Sequence, residues 1–112
     1  MKHLLFKITG CPFDKLNDEA LIRDYMKCAA EQSLSTLLDV MSHKFEPQGV
    51  TCVAMLAESH ISIHTWPEKG IAVCDAFTCS DFGAPQAAAE CLMNCLEGDD
   101  MTGELIMRDL DE

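Results

Sequence analysis

Basic residues are scarce in this 112-residue chain: eight Lys and Arg stand against nineteen Asp and Glu, for a formal net charge of −11. Such a surface excludes electrostatic docking on nucleic acid backbones or anionic membranes and favours the approach of a cationic small molecule. It equally serves solubility, since Asp99, Asp100, Asp109, Asp111 and Glu112 crowd the C-terminal end. Long apolar runs are also missing. Met1-Lys2 is followed only by Leu4-Leu5-Phe6, and no stretch approaches the roughly 18 apolar residues of a membrane span. A soluble, cytoplasmic protein is expected. No Cys-x-x-Cys pair occurs among the seven cysteines, Cys11, Cys28, Cys52, Cys74, Cys79, Cys91 and Cys95. Their odd number, with no secretion signal, argues for reduced thiols rather than a disulfide framework. Cys91 and Cys95 are four apart and share one helix face, where they read as small buried apolar residues rather than metal ligands. Internal repeats, low-complexity segments and phosphate-cradling glycine loops are absent as well. The length suits one domain, 1–112, with a single modest core and no separate cofactor-binding domain, so any cofactor is small or built in.

What is present reads as a compact order of elements. His3 to Ile8 is a first strand closed by Thr9-Gly10-Cys11-Pro12, where glycine and proline punctuate the chain. Asn17 is placed to cap a following helix, with Asp18 and Glu19 in its first turn and Ile22, Met26, Ala29 and Ala30 at helical spacing. Thr36 to Phe45 is extended and Glu46-Pro47-Gln48-Gly49 is a turn. Val50 to Ala57 is a nearly continuous apolar run, which implies a strand buried on both faces. Ile61 and Ile63 alternate with Ser62 and His64, Pro67 to Gly70 turns, and Ile71 to Thr78 completes a hairpin. A second helix opens near Pro85, carries Ala88, Cys91, Leu92, Cys95 and Leu96 as an apolar stripe, and ends at Gly98. Glu104 to Arg108 is a last strand. The order β-α-β-β-β-β-α-β predicts an α+β two-layer sandwich, an antiparallel sheet with two helices on one face. The other face would be a large apolar patch unless a second copy covers it, so a homodimer is expected.

The densest chemistry lies in Glu58-Ser59-His60-Ile61-Ser62-Ile63-His64-Thr65-Trp66-Pro67-Glu68, which combines a hydroxyl nucleophile, two imidazoles and two carboxylates. A serine hydroxyl reacts poorly in water and needs a nearby base or a strained carbonyl. This stretch, together with His43-Lys44-Phe45-Glu46-Pro47-Gln48-Gly49-Val50 upstream, resembles the short prokaryotic S-adenosylmethionine decarboxylase proenzymes. The similarity spans most of the chain. It is strongest from His43 to Cys79 and looser after Asp81.

The resemblance implies a self-cleaving decarboxylase with a pyruvoyl cofactor made from its own Ser59, acting in spermidine biosynthesis. Decarboxylating an α-amino acid leaves electrons that need a conjugated sink, which no unmodified side chain supplies. The resemblance implies that Ser59 attacks the carbonyl of Glu58, and that elimination then divides the chain into 1–58 and 59–112 and leaves pyruvoyl at residue 59. The substrate amine would condense there as a Schiff base. Thr51 matches a position that relatives usually fill with serine, an oxyanion donor in processing, and its extra methyl restricts χ1. His64 matches the processing base; imidazole suits that task with an unperturbed pKa of about 6.5. Cys79 matches the proton donor of turnover, a thiol that stays mostly protonated at neutral pH. Phe45 and Glu68 match the aromatic against adenine and the carboxylate on the ribose hydroxyls. The implied partners are S-adenosylmethionine, whose sulfonium suits the acidic field, and a second copy of the chain.

Other readings remain open on the residues. Pyruvoyl enzymes that decarboxylate ornithine or arginine could retain Ser59, His64 and Cys79, although Phe45 and Glu68 favour a nucleoside-bearing substrate. A non-catalytic or metal-binding partner module would use His60, His64 and nearby thiols, yet that spacing lacks convergent ligands. A chain that never cleaves and only activates another subunit is left open by Thr51. His60 reads as a sheet residue or as one that orients the new N-terminus, Cys74 as a core thiol, and Lys44 and Lys69 as surface charges within reach of a substrate carboxylate.

Overall fold

The computed structural model describes residues 1–57, 59–78 and 84–108. The elements run β1 (Lys2–Thr9), α1 (Phe13–Leu16), α2 (Glu19–Gln32), β2 (Leu37–Lys44), β3 (Val50–Leu56), β4 (His60–Trp66), a single 3-10 turn (Pro67–Lys69), β5 (Ile71–Thr78), α3 (Ala84–Cys95) and β6 (Asp100–Met107). Six strands form one sheet in the order β2-β3-β4-β5-β1-β6, and every neighbouring pair is antiparallel. The α+β two-layer reading therefore holds. The short α1 and the 3-10 turn are additions that four- and three-residue segments carry too little periodicity to announce.

Strands β1, β3, β4 and β5 show the period of two that a half-covered sheet requires. Phe6 and Ile8 of β1, Val50, Cys52, Ala54 and Leu56 of β3, Ile61 and Ile63 of β4, and Ala72, Cys74 and Ala76 of β5 are buried on one face. They meet Ile22, Met26, Ala29 and Ala30 of α2, Ala88, Ala89 and Leu92 of α3, and Leu96 just beyond it in one core. Burial of each large aliphatic side chain contributes roughly 1.5–3 kcal/mol. β3 corrects the expectation of burial on both faces: Thr51 and Val53 are half-buried and Met55 is exposed, because none of the described helices covers that side. An apolar run can fill both faces of a strand while only one is covered.

The cap of α2 also differs from expectation. Asp18 is the N-cap, its Oδ1 accepting the Leu21 N–H at 3.1 Å. Asn17 instead ends α1, and its Oδ1 accepts the Gly49 N–H at 3.0 Å, tying the helix junction to the β2–β3 turn. α2 is anchored to β2 by Arg23 Nη1 donating to Ser42 Oγ at 2.8 Å and Ser42 Oγ donating to Glu19 Oε2 at 2.6 Å. α3 ends at Cys95, and the Gly98 N–H returns to the Met93 carbonyl at 3.2 Å, so Gly98 closes the helix as expected. β6 begins at Asp100, earlier than the composition suggested, because its ladder with β1 runs from Thr9↔Asp100 to Lys2↔Met107.

Candidate active site

Two turns at one end of the sheet build a cavity of about 420 Å³. In the first, the Phe45 N–H donates to the Gly49 carbonyl at 2.8 Å. Gly49 has φ +110, and a Cβ there would stand 3.2 Å from the Thr65 carbonyl, so both conformation and space demand glycine. Phe45 is thereby held 46% exposed, with His43 packed edge-on against its ring at 4.6 Å. Lys44 Nζ donates to the Phe45 carbonyl at 3.0 Å. The second turn presents Glu68 on the 3-10 segment, closed by Gly70 at φ +66. Buried Thr65 locks the two turns together: its Oγ1 accepts the Val50 N–H at 2.8 Å and donates to the Leu16 carbonyl at 2.8 Å.

Thr51 and His64 face one another across β3 and β4, and Thr51 Oγ1 lies 3.1 Å from His64 Nδ1. That hydrogen bond fixes the orientation of the imidazole. Four of the residues singled out in the sequence, Phe45, Thr51, His64 and Glu68, thus border the same cavity. Trp66, 41% exposed, lines it as well. The motif contained Trp66 without a role for it; alternation from His64 was the available signal, since residues two apart share a strand face.

Ser59 lies elsewhere. It sits in the β3–β4 turn, where Leu56 N–H donates to the Ser59 carbonyl at 2.8 Å and Ser59 N–H to the Leu56 carbonyl at 3.2 Å. Its Oγ is buried without a hydrogen-bond partner among the described residues, as is Oγ1 of Thr78. The register pairing His60 with Phe77 brings Ser59 alongside Thr78, the residue before Cys79. From His60 to His64 the strand covers about 13 Å at roughly 3.3 Å per residue. His64 of the same chain is therefore beyond hydrogen-bonding reach of Ser59. Glu58 and Cys79 lie outside the described residues.

The helix-free face of the sheet holds one more polar constellation. Asp75, opposite Ser62 in the ladder, accepts at one oxygen from His3 Nε2 at 2.7 Å and His60 Nε2 at 2.8 Å, and at the other from Ser62 Oγ. A carboxylate only accepts, so both imidazoles carry a proton on Nε2. Burial raises the Asp75 carboxyl, but the hydrogen bonds from Ser62, His3 and His60 outweigh it and hold the group below its ordinary value. The metal-binding reading of His60 with His64 fails on this geometry, because the two imidazoles engage different partners at separate points along β4. Cys74 is a core thiol as expected, and burial pushes it well up. Burial likewise pushes Cys11 and Cys52 to about 11.

The sequence and the fold resemble those of known proteins. The family profile described as S-adenosylmethionine decarboxylase matches residues 2–109. The chain belongs to that family. An S-adenosylmethionine decarboxylase proenzyme of Prochlorococcus marinus strain MIT 9313 is 52% identical over 91 residues, 81% of this chain and 73% of that protein. A protein of the same description from Methanococcus vannielii is 44% identical over 98 residues, 88% of this chain and 80% of its own length. The crystal structure of the adenosylmethionine decarboxylase from Aquifex aeolicus VF5 superposes with a TM-score of 0.91 at 32% identity, covering 99% of this chain and 92% of that one. Within this family fold, Asp75 and His3 are what sequence reasoning missed. Asp75 stands in an apolar strand and His3 is 72 residues away, so no local pattern linked them.

Proposed function

We propose that this chain is a self-processing, pyruvoyl-dependent decarboxylase of S-adenosylmethionine. The observation that carries the reading is the single cavity bordered by Phe45, Thr51, His64 and Glu68, four residues whose types suit a nucleoside-bearing substrate and a general base. Exposed Phe45 and Trp66 offer ring faces to adenine; stacking of this kind contributes about 1–3 kcal/mol per base. The Glu68 carboxylate accepts from the ribose hydroxyls. The net charge of −11 draws in a sulfonium-bearing substrate.

Ser59 fits the origin of the cofactor. A buried hydroxyl without a partner among the described residues is a costly group that a purely structural role does not require. Ser59 Oγ attacks the Glu58 carbonyl, giving an ester and a free amine. Abstraction of the residue 59 Cα proton expels the Glu58 carboxylate, and hydrolysis releases ammonia. A hydroxyl donor such as Thr51 lowers the cost of the tetrahedral oxyanion, and a neutral His64 takes the Cα proton. The resulting pyruvoyl group supplies the electron sink for loss of carbon dioxide. Cys79 then delivers a proton to carbon.

The separation between Ser59 and His64 supports assembly of the site from two copies. The helix-free face bears exposed Met41, Met55, Trp66, Val73, Leu5 and Ile106, an apolar surface suited to a second copy. In such a homodimer, Thr51 and His64 of one protomer serve Ser59 of its partner.

Carboxyl-labelled S-adenosylmethionine, ornithine and arginine offered separately to the purified protein test this reading. Labelled carbon dioxide is expected from S-adenosylmethionine, with mass spectrometry showing chains 1–58 and 59–112, the latter blocked to Edman degradation. Release from ornithine or arginine alone overturns the substrate. A permanently intact chain overturns the pyruvoyl mechanism.

A further inference from the structure

A second cluster lies on the helical layer, apart from the cavity and independent of the decarboxylase reading. Cys91 and Cys95 are one helical turn apart on α3, and α2 packs against α3 so that Cys28 joins them. Cys91 Sγ is 3.3 Å from Cys28 Sγ and 4.0 Å from Cys95 Sγ. All three sulfurs lie within 4.8 Å of one another. Cys91 and Cys95 are expected to be buried packing residues; they and Cys28 are instead half-buried, with sulfurs turned toward one another. They open into a cavity of about 340 Å³ bordered also by Gln32, Glu90 and Asn94.

We infer that Cys28, Cys91 and Cys95 bind one thiophilic d10 divalent cation, of the zinc and cadmium class, across the α2–α3 seam. A tetrahedral ion with metal–sulfur bonds of about 2.3 Å holds its thiolates about 3.8 Å apart. The observed spacings of 3.3 and 4.0 Å bracket that value, so small rotations of three side chains complete the triad. Glu90, on the cavity wall, or a water supplies the fourth ligand. Each thiol yields its proton to solvent on binding, and no electron is transferred. The cation would staple the two helices that cover the sheet, leaving the catalytic residues untouched. Burial pushes the Cys91 and Cys95 thiols up.

The test uses the full chain purified without a histidine tag, reduced and stripped with chelator, then titrated with cadmium. The site predicts one equivalent per chain, a cadmium–thiolate charge-transfer band, and a raised thermal midpoint. Cys28→Ser and Cys91→Ser should each weaken binding by more than about 100-fold, beyond the effect usual for outer-shell changes. The two substitutions lie on different helices, so either carries the test if the other fails to fold. No thiolate band, or unchanged affinity in a folded variant, overturns the proposal.

Discussion

Asp75 is a half-buried carboxylate held by two imidazoles and a hydroxyl that come from two other strands, β1 and β4. Its folded pKa lies below the ordinary value, and an unfolded Asp titrates near about 3.9. The stabilisation it provides is therefore present above about pH 4 and is lost as pH falls through the lower folded value. Asp75→Asn should lower stability at neutral pH, with the gap to the parent protein narrowing on acidification toward pH 3. Denaturant midpoints of both proteins at the two pH values measure this. A gap that is the same at both would show that the charge on Asp75 contributes nothing. His60 gains its place from this network, as a residue that pins the start of β4 beside Ser59, and Thr51 does the equivalent for His64 through Nδ1.

Strands β3 and β4 carry the cavity residues, and the turns beside them owe their shape to one hydroxyl. Thr65 Oγ1 joins the start of β3 to the end of α1 while its own strand supplies His64 and Trp66. Thr65→Val keeps the volume but strands the Val50 N–H and the Leu16 carbonyl in the core. Each unmet buried polar group costs about 1–3 kcal/mol, so a comparable loss of stability is expected in denaturant unfolding. Thr65→Ser should recover most of it by restoring the hydroxyl. Equal stability of the valine and serine variants would remove the hydroxyl from this account. Most strand boundaries were legible from alternation and turn residues. The burial of β3 on one face was not, because apolarity alone does not tell which side a helix will cover.

The molecule is a slab of 44 × 27 × 23 Å whose helix-free face carries both His64, the proposed base, and a broad apolar surface. If processing occurs between copies, two defective chains should complement one another. Ser59→Ala alone and His64→Ala alone are expected to stay uncut. Co-expressed, they should yield cleavage of the His64→Ala chain, whose Ser59 meets His64 of the partner. Mass spectrometry of tagged chains distinguishes the products. Persistent failure to cleave in folded mixed dimers would sink the two-copy site.

The order of elements, the acidic field and the dense run of polar groups around Ser59 follow from residue types and short-range spacing, which act through local backbone preference and side-chain chemistry. Ser59 and His64 stand out in the sequence through that local density of reactive groups, whereas the roles of His64, Phe45 and Glu68 came from the resemblance to the decarboxylase family. Bringing His3 to Asp75, Cys28 to Cys91, and Phe45 to Glu68 while holding Ser59 away from His64 depends on strand register and helix packing. Those are set by burial of a shared core among residues distant along the chain, and no local pattern encodes which distant partners will meet.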